Sequence, residues 1–270
     1  MKKDCIYVDN MLYSKGMGEN GGNSEMHDLH CHILPELDDG AQSMEETLTM
    51  ARLAAKCGTK CIVCTPHCRA DDPLLAERLN LIEDYTHHAN RMLRQESVSL
   101  QLLTGMELLC LYPPRRILQE GNFLTLAGTN YLLIEFPFDA QPELIVQSAI
   151  AVNQAGLFPV IAHPERYECV QQNPQLIQNW FRRGWVIQVN RGSVAGSFGT
   201  APQLAAKWML LRGLAHVVAS DAHSPYSRTP NLLPGYIWVK NNCSEAFAKL
   251  LFHTNPLRIL NNYPIAAARR

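Results

Sequence analysis

The 270-residue chain has no run approaching 18 consecutive apolar residues, so no membrane-spanning helix is expected. It has no excess of charge of either sign: 24 Lys and Arg stand against 25 Asp and Glu, a formal net charge of −1. That balance excludes a broad basic footprint for nucleic acid and argues against an acidic disordered tail. Charged residues make up only 18% of the chain, below the ~25% usual in soluble domains. Lys2 and Lys3 could imitate the start of an export signal, but Asp4 to Asn10 is mixed and holds two Asp, with no apolar segment behind it. The cysteine count of nine is odd. Without an export signal those thiols read as reduced, in a cytoplasmic protein. Apolar material is plentiful at 47%. A chain of this length buries roughly three quarters of its unfolded surface and needs neither disulfide nor metal merely to hold a core.

Residues 1–25 differ from the rest. Gly16 to Asn23 holds four Gly and two Asn and shows no apolar period, so this stretch reads as a flexible arm ending in a linker. Gly16 to Gly21 fits G-x-G-x-x-G, but a dinucleotide site needs a strand before it and a helix after it, and Met26 to Ile33 reads as a strand. From residue 26 onward, strand and helix signals alternate through one domain, 26–270. Strands are expected at 26–33, 59–65, 99–107, 131–136, 158–163, 185–190 and 214–220. Runs such as Tyr131 to Ile134 are continuously apolar, as strands covered on both faces are. Helices are expected near 44–57, 73–95, 113–120, 142–156, 174–183 and 201–212, the first opened by the capping box Ser43 to Glu46. Seven alternations favour an α/β barrel over an open doubly wound sheet.

Five of the ten His sit at or just beyond expected strand ends: His30, His32, His67, His163 and His223. Four carboxylates hold equivalent places: Asp39, Glu107, Glu135 and Asp221. In a parallel barrel all strand C-termini open on one face, so these nine side chains would converge there. His30-Cys31-His32 puts two imidazoles on one face of a strand, and Asp221-Ala222-His223 repeats the spacing. Mixed imidazole and carboxylate donors suit Mn²⁺, Fe²⁺ or Zn²⁺. Arg166 follows His163 by three residues and Arg228 follows His223 by five, and a guanidinium matches phosphate oxygens.

Three competing motifs fail on local chemistry. Cys110 to Arg116 has the C-x₅-R spacing of cysteine-dependent phosphatases, but its two prolines remove backbone donors and it lacks Gly. Cys61 and Cys64 lie three apart on an expected strand and face opposite ways, so a zinc knuckle with Cys68 and His67 is not read. Amidohydrolases also use H-x-H on a barrel, but commonly with a bridging Lys after a middle strand, and no Lys here occupies such an end.

Asp28-Leu-His30-Cys-His32, Asp39-Gly40, Thr65-Pro-His67, Ile161-Ala-His163-Pro and Ser220-Asp221-Ala-His223 together resemble the PHP (polymerase and histidinol phosphatase) superfamily. Gly105-Met-Glu107, Leu133-Ile-Glu-Phe136 and His163-Pro-Glu-Arg-Tyr167 resemble one branch of it, the bacterial manganese-dependent protein-tyrosine phosphatases of capsule and exopolysaccharide operons. The resemblance runs from about 26 to 262 and leaves the arm out. It implies a distorted (β/α)₇ TIM-like barrel holding three divalent ions, Mn²⁺ foremost. His30, His32, Glu107 and Asp221 would hold one ion; Glu107, Glu135 and His163 a second; Asp39, His67 and His223 the third. Arg166 and Arg228 would contact phosphate. Three such ions against four carboxylates leave two positive charges to attract a phosphate dianion and hydroxide, and a metal-activated hydroxide would be the nucleophile.

The implied substrate is a phosphotyrosine protein, a cognate membrane-associated tyrosine kinase tail, met by an enzyme not itself embedded in the membrane. The alternatives are a small-molecule phosphatase of the same superfamily, acting on histidinol phosphate or a nucleotide, and a non-catalytic metal-binding regulator.

Overall fold

A computed structural model describes residues 25–265, so the arm expected at 1–25 lies outside the described residues except for Glu25. The strands are β1 (Met26–Cys31), β2 (Thr59–Cys64), β3 (His67–Arg69), β4 (Gln101–Thr104), β5 (Glu107–Leu109), β6 (Tyr131–Glu135), β7 (Phe158–Ile161), β8 (Val186–Asn190) and β9 (Val217–Ala219). All pair in parallel, β1-β2-β4 in one sheet and β3-β5-β6-β7-β8-β9 in another. The two sheets are one staggered barrel. The strand expected at 59–65 is interrupted at Pro66, which has no N–H to donate, and resumes as β3. The strand expected at 99–107 breaks at Gly105-Met106 and resumes as β5. Counting each broken pair once, seven strand positions surround the axis.

The ring closes between the first and last strands. His32 N donates to Ala222 O at 2.8 Å, and Asp221 N donates to His30 O at 2.9 Å. Buried Asp28 fastens the same seam by accepting from Ser220 N at 3.0 Å. The superfamily-like Asp28 is therefore a barrel fastener set one turn of side-chain alternation below His30.

Helices cover the outside: α1 (Met44–Lys56), α2 (Leu75–Gln95), α3 (Arg115–Glu120), α4 (Pro142–Gln154), α5 (Glu168–Gln172), α6 (Gln175–Arg182), α7 (Arg191–Ala195), α8 (Thr200–Leu211), α9 (Leu233–Asn242), α10 (Glu245–Lys249) and α11 (Asn255–Leu260). Ser43 Oγ accepts from Glu46 N at 3.2 Å and starts α1, while the Glu46 carboxylate reaches Gln42 N rather than the cap residue itself. No helix or strand is expected from the sequence beyond residue 220. The C-terminal helices α9 to α11, with a π-helical turn at Leu250–Thr254 between the last two, pack Val239, Leu251 and Phe252 into the main core.

Inside the ring, Leu29, Val63, Leu133, Val160, Val186 and Val217 belong to a second buried cluster. Each lies N-terminal to a polar residue of the site, which stands farther along the same strand or just beyond its end. The barrel is thus filled with apolar side chains toward the strand N-termini, and its polar groups are confined to the C-terminal mouth.

Candidate metal centre

The structure brings all nine expected donors to that mouth. Strand register explains the closest neighbours: His67 on β3 pairs directly with Glu107 on β5, and Glu135 ends the adjacent β6. Glu107 is the hub. Its fully buried Oε2 lies 3.1 Å from His30 Nε2, 3.2 Å from His32 Nε2 and 3.1 Å from His67 Nδ1, while Oε1 lies 2.9 Å from His163 Nε2. Asp221 Oδ1 faces the same His30 and His32 nitrogens, each at 3.5 Å. Asp39 Oδ1 lies 3.3 Å from His223 Nε2 and 3.6 Å from His67 Nε2.

Three donor groups are compact enough to hold an ion, with all ligand atoms of a group within 4.8 Å of one another: His30, His32 and Glu107; His67, Glu107 and Glu135; and His32, Asp39, His67 and His223. The partition differs from the expected one in each group: Asp221 is not among the first, His67 stands in place of His163 in the second, and His32 joins Asp39, His67 and His223 in the third. His67 turns Nε2 to Asp39 and Nδ1 to Glu135, 2.7 Å away, and so stands between two groups.

The imidazole tautomers are set from behind. His32 Nδ1–H donates to Asp38 Oδ2 at 2.6 Å, and His30 Nδ1–H donates to Gln188 Oε1 at 2.9 Å. Gln188 is oriented in turn, because its amide donates to Asn190 Oδ1 at 2.8 Å and the Asn190 amide donates to Asp221 Oδ2. Both Nε2 atoms are then bare lone pairs. They face each other across 3.1 Å and face Glu107 Oε2, which is buried and receives no hydrogen bond. Lone pairs and a carboxylate oxygen at such distances repel unless a positive charge lies among them. A divalent cation fits that donor set.

Protons are the substitute. Burial opposes charge on His32, yet Asp38 beside it holds its pKa well above the usual imidazole value. Burial would likewise raise Asp38, but His32 pulls it down to about 2. Burial opposes charge on His67 too, and Glu107 and Glu135 nevertheless raise it to about 10. A metal ion entering such a site displaces protons.

Backbone strain is concentrated here as well. His163 and Asp221 adopt left-handed φ values of 32° and 50°, which cost a non-glycine residue about 1–3 kcal/mol and persist where surrounding structure holds them. Gly40, next to Asp39, lets the loop after β1 fold back on the strand; a Cβ there would lie 2.1 Å from His32 O. Arg166 Nη1 and Arg228 Nη2 reach the same atom, Asp221 Oδ2, at 3.4 and 2.6 Å. A 380 Å³ cavity touches His67 and Glu135, whereas a larger open groove of 840 Å³ between α1 and α2 contains none of the eleven expected site residues.

Sequence reasoning missed the supporting polar shell of Asp38, Gln188 and Asn190. Asn190 closes β8 and Gln188 lies two residues before it, so the strand-end rule would have found both had it been extended to amides. Asp38 differs from Asp39 only by the loop's direction, and the pair Asp38-Asp39 offered no way to choose.

Comparison with known proteins agrees with this architecture. A lactonase from Listeria monocytogenes, 12% identical, superposes with a TM-score of 0.58 over 88% of this chain and 95% of its own; this likeness concerns the fold alone. Tyrosine-protein phosphatase YwqE of Bacillus subtilis is 35% identical over 203 residues, 75% of this chain and 79% of its own. Tyrosine-protein phosphatase CpsB of Streptococcus pneumoniae is 29% identical over 240 residues, 87% and 98% of the two chains. A solved structure from work on these two proteins, described there as unique metal-dependent tyrosine phosphatases, superposes with a TM-score of 0.82 at 31% identity, covering 91% of this chain and all of the other. The family described as capsular polysaccharide synthesis, CpsB/CapC, matches residues 26–261. The chain belongs to the CpsB/CapC family.

Proposed function

We propose that the chain is a metal-dependent protein-tyrosine phosphatase, with residues 26–270 as one catalytic domain. The observation that carries the reading is the inward-facing Nε2 pair of His30 and His32 against the unpartnered Glu107 Oε2. That arrangement is intelligible as a cation site and not as a folding device. His30, His32, Asp39, His67, Glu107, Glu135, His163, Asp221 and His223 would hold the ions, with three Mn²⁺ preferred. Bound divalent ions would supply Lewis acidity, lowering the pKa of water and offsetting charge on the transferring phosphoryl group.

The chain's own residues do the rest. Arg166 and Arg228 bind the phosphate oxygens, which take over the guanidinium contacts now made to Asp221 Oδ2. Buried Arg228 Nε has no partner and is a donor available to such an oxygen. Asn190 keeps hold of Asp221 while this exchange occurs.

The substrate is a phosphotyrosine protein, a kinase tail of capsule or exopolysaccharide assembly. The names of the relatives support this reading. A cytoplasmic setting is in keeping with an odd count of nine cysteines. The test compares turnover of a phosphotyrosine peptide, histidinol phosphate and nucleotides at equal concentration with Mn²⁺ present. The peptide should rank first; a peptide ranking last would move the enzyme to small-molecule substrates.

A further inference from the structure

Arg166 is clamped between two rings. Its Cζ lies 4.3 Å from the Phe138 centroid and 4.5 Å from that of Phe198. Phe198 also lies 5.2 Å from Arg228 Cζ, so one ring braces both guanidiniums that meet at Asp221. Stacking of this kind holds the plane of a guanidinium while leaving its edge donors free.

The two rings are not equivalent. Phe198 is half-buried and seated against Gly192, where an added Cβ would come within 2.8 Å of its Cε2. Phe138 is 46% exposed, three residues beyond Glu135, with its ring edge-on to His163 at 6.4 Å between centroids. Its carbonyl accepts from Glu168 N at 2.8 Å, which ties its backbone to the segment just past Arg166. A large apolar ring left half in water, fixed beside a phosphate-directed arginine and a candidate metal ligand, gains little from folding. It is placed to meet an apolar group that arrives with a phosphate.

We propose that Phe138 is a specificity-determining residue that receives the aryl ring of an aryl phosphoester, while Phe198 is a positioning residue that only holds the arginines. The inference rests on the phosphotyrosine reading above. It commits to aromatic over alkyl phosphoesters as the favoured class.

The experiment uses competitive inhibition of p-nitrophenyl phosphate turnover by phenylphosphonate and by methylphosphonate, which carry no leaving group to confuse binding with chemistry. Phe138→Leu should weaken both through the loosened arginine, and phenylphosphonate by roughly a further 2- to 10-fold, the size of one aromatic contact. Phe138→Trp should restore the preference. Phe198→Leu should weaken both inhibitors equally. An unchanged phenyl-to-methyl ratio in Phe138→Leu, with metal content intact, overturns the proposal and places the substrate ring elsewhere, such as the cavity beside His67 and Glu135. If Phe138→Leu does not fold, Phe138→Met, which keeps the bulk and removes the ring, decides: a lowered phenyl-to-methyl ratio together with an equal loss for Phe198→Leu supports the assignment, and an unchanged ratio with metal content intact contradicts it. Wild-type turnover of a phosphotyrosine peptide is scored separately. Its failure removes the tyrosine reading while leaving the inhibitor ratio to report on the ring contact.

Discussion

Asp38 stands 2.6 Å from His32 and so fixes which of the two imidazole nitrogens faces the mouth of the barrel. It also accepts from His67 N at 2.9 Å and, through its other oxygen, from Gly40 N at 2.9 Å. One carboxylate outside the donor set thereby aligns two donors and the loop bearing a third. Asp38→Asn keeps the shape but removes the charge that holds the His32 proton in place. Metal affinity, measured by competition with a chromogenic chelator, should fall about 10- to 100-fold, and the metal-free protein should also melt lower, because there the same carboxylate pairs with the protonated, buried His32. Undiminished affinity would show that the His32 tautomer is set otherwise.

Replacing Arg166 or Arg228 with Ala should cut turnover of a phosphotyrosine peptide by about 10²–10³, or about 2.7–4 kcal/mol, with metal content intact. Lys at either position should rescue in part, since it offers a point charge in place of a planar fork. Glu107→Ala should instead lose both metal and activity, because Glu107 touches four of the site's imidazoles. Mass spectrometry of bound metal beside initial rates separates the two outcomes; arginine variants that lose metal would contradict the assignment.

Cys110→Ser should leave turnover almost unaltered. Cys110 is buried, its Sγ lies 3.6 Å from Leu108 O, and burial pushes its thiol far above the ordinary range. A thiol so held is no thiolate nucleophile. Collapse of activity in a folded Cys110→Ser protein would revive the cysteine mechanism.

Acid should destabilise the fold partly through His216, far from the mouth. Burial lowers its pKa from 6.5 to about 4, and its unprotonated Nδ1 accepts from Ile187 N at 3.0 Å. Above pH 6.5 the residue is neutral in both folded and unfolded chains and has no effect. As pH falls from 6.5 to 4 the unfolded chain takes up a proton that the folded chain refuses, so about 3 kcal/mol of stability is lost, and the loss is complete below 4. His216→Asn retains an acceptor and cannot titrate. Urea unfolding at pH 7 and pH 4 should show a smaller drop for this variant than for the parent; equal drops would clear His216 of the effect.

The parts of this protein most legible in its sequence are those where one side chain needs one place. His30 and His32 alternate on a strand, Asp221 and His223 repeat the spacing, and continuous apolar runs such as Tyr131 to Ile134 mark strands buried on both faces. The breaks at Pro66 and at Gly105-Met106 were hidden because each half-strand is only three residues long beyond the interruption. The C-terminal helices escaped notice for a physical reason: α9 carries Pro234 and Gly235 in its first turn, and α10 to α11 pass through a π turn, so no sustained 3.6-residue period survives. The amide relay from Gln188 through Asn190 to Asp221 is overlooked where only imidazoles and carboxylates are sought at strand ends, although Gln188 and Asn190 share the two-residue spacing of His30 and His32.

The most direct test of the metal centre is to strip the protein with excess chelator, verify an empty site by mass spectrometry, and follow phosphotyrosine-peptide turnover as Mn²⁺ is returned. Activity should vanish with the metal and rise again in step with Mn²⁺ occupancy. Full turnover by the metal-free protein in excess chelator would contradict the assignment of His30, His32, Glu107 and their neighbours as the site of catalysis.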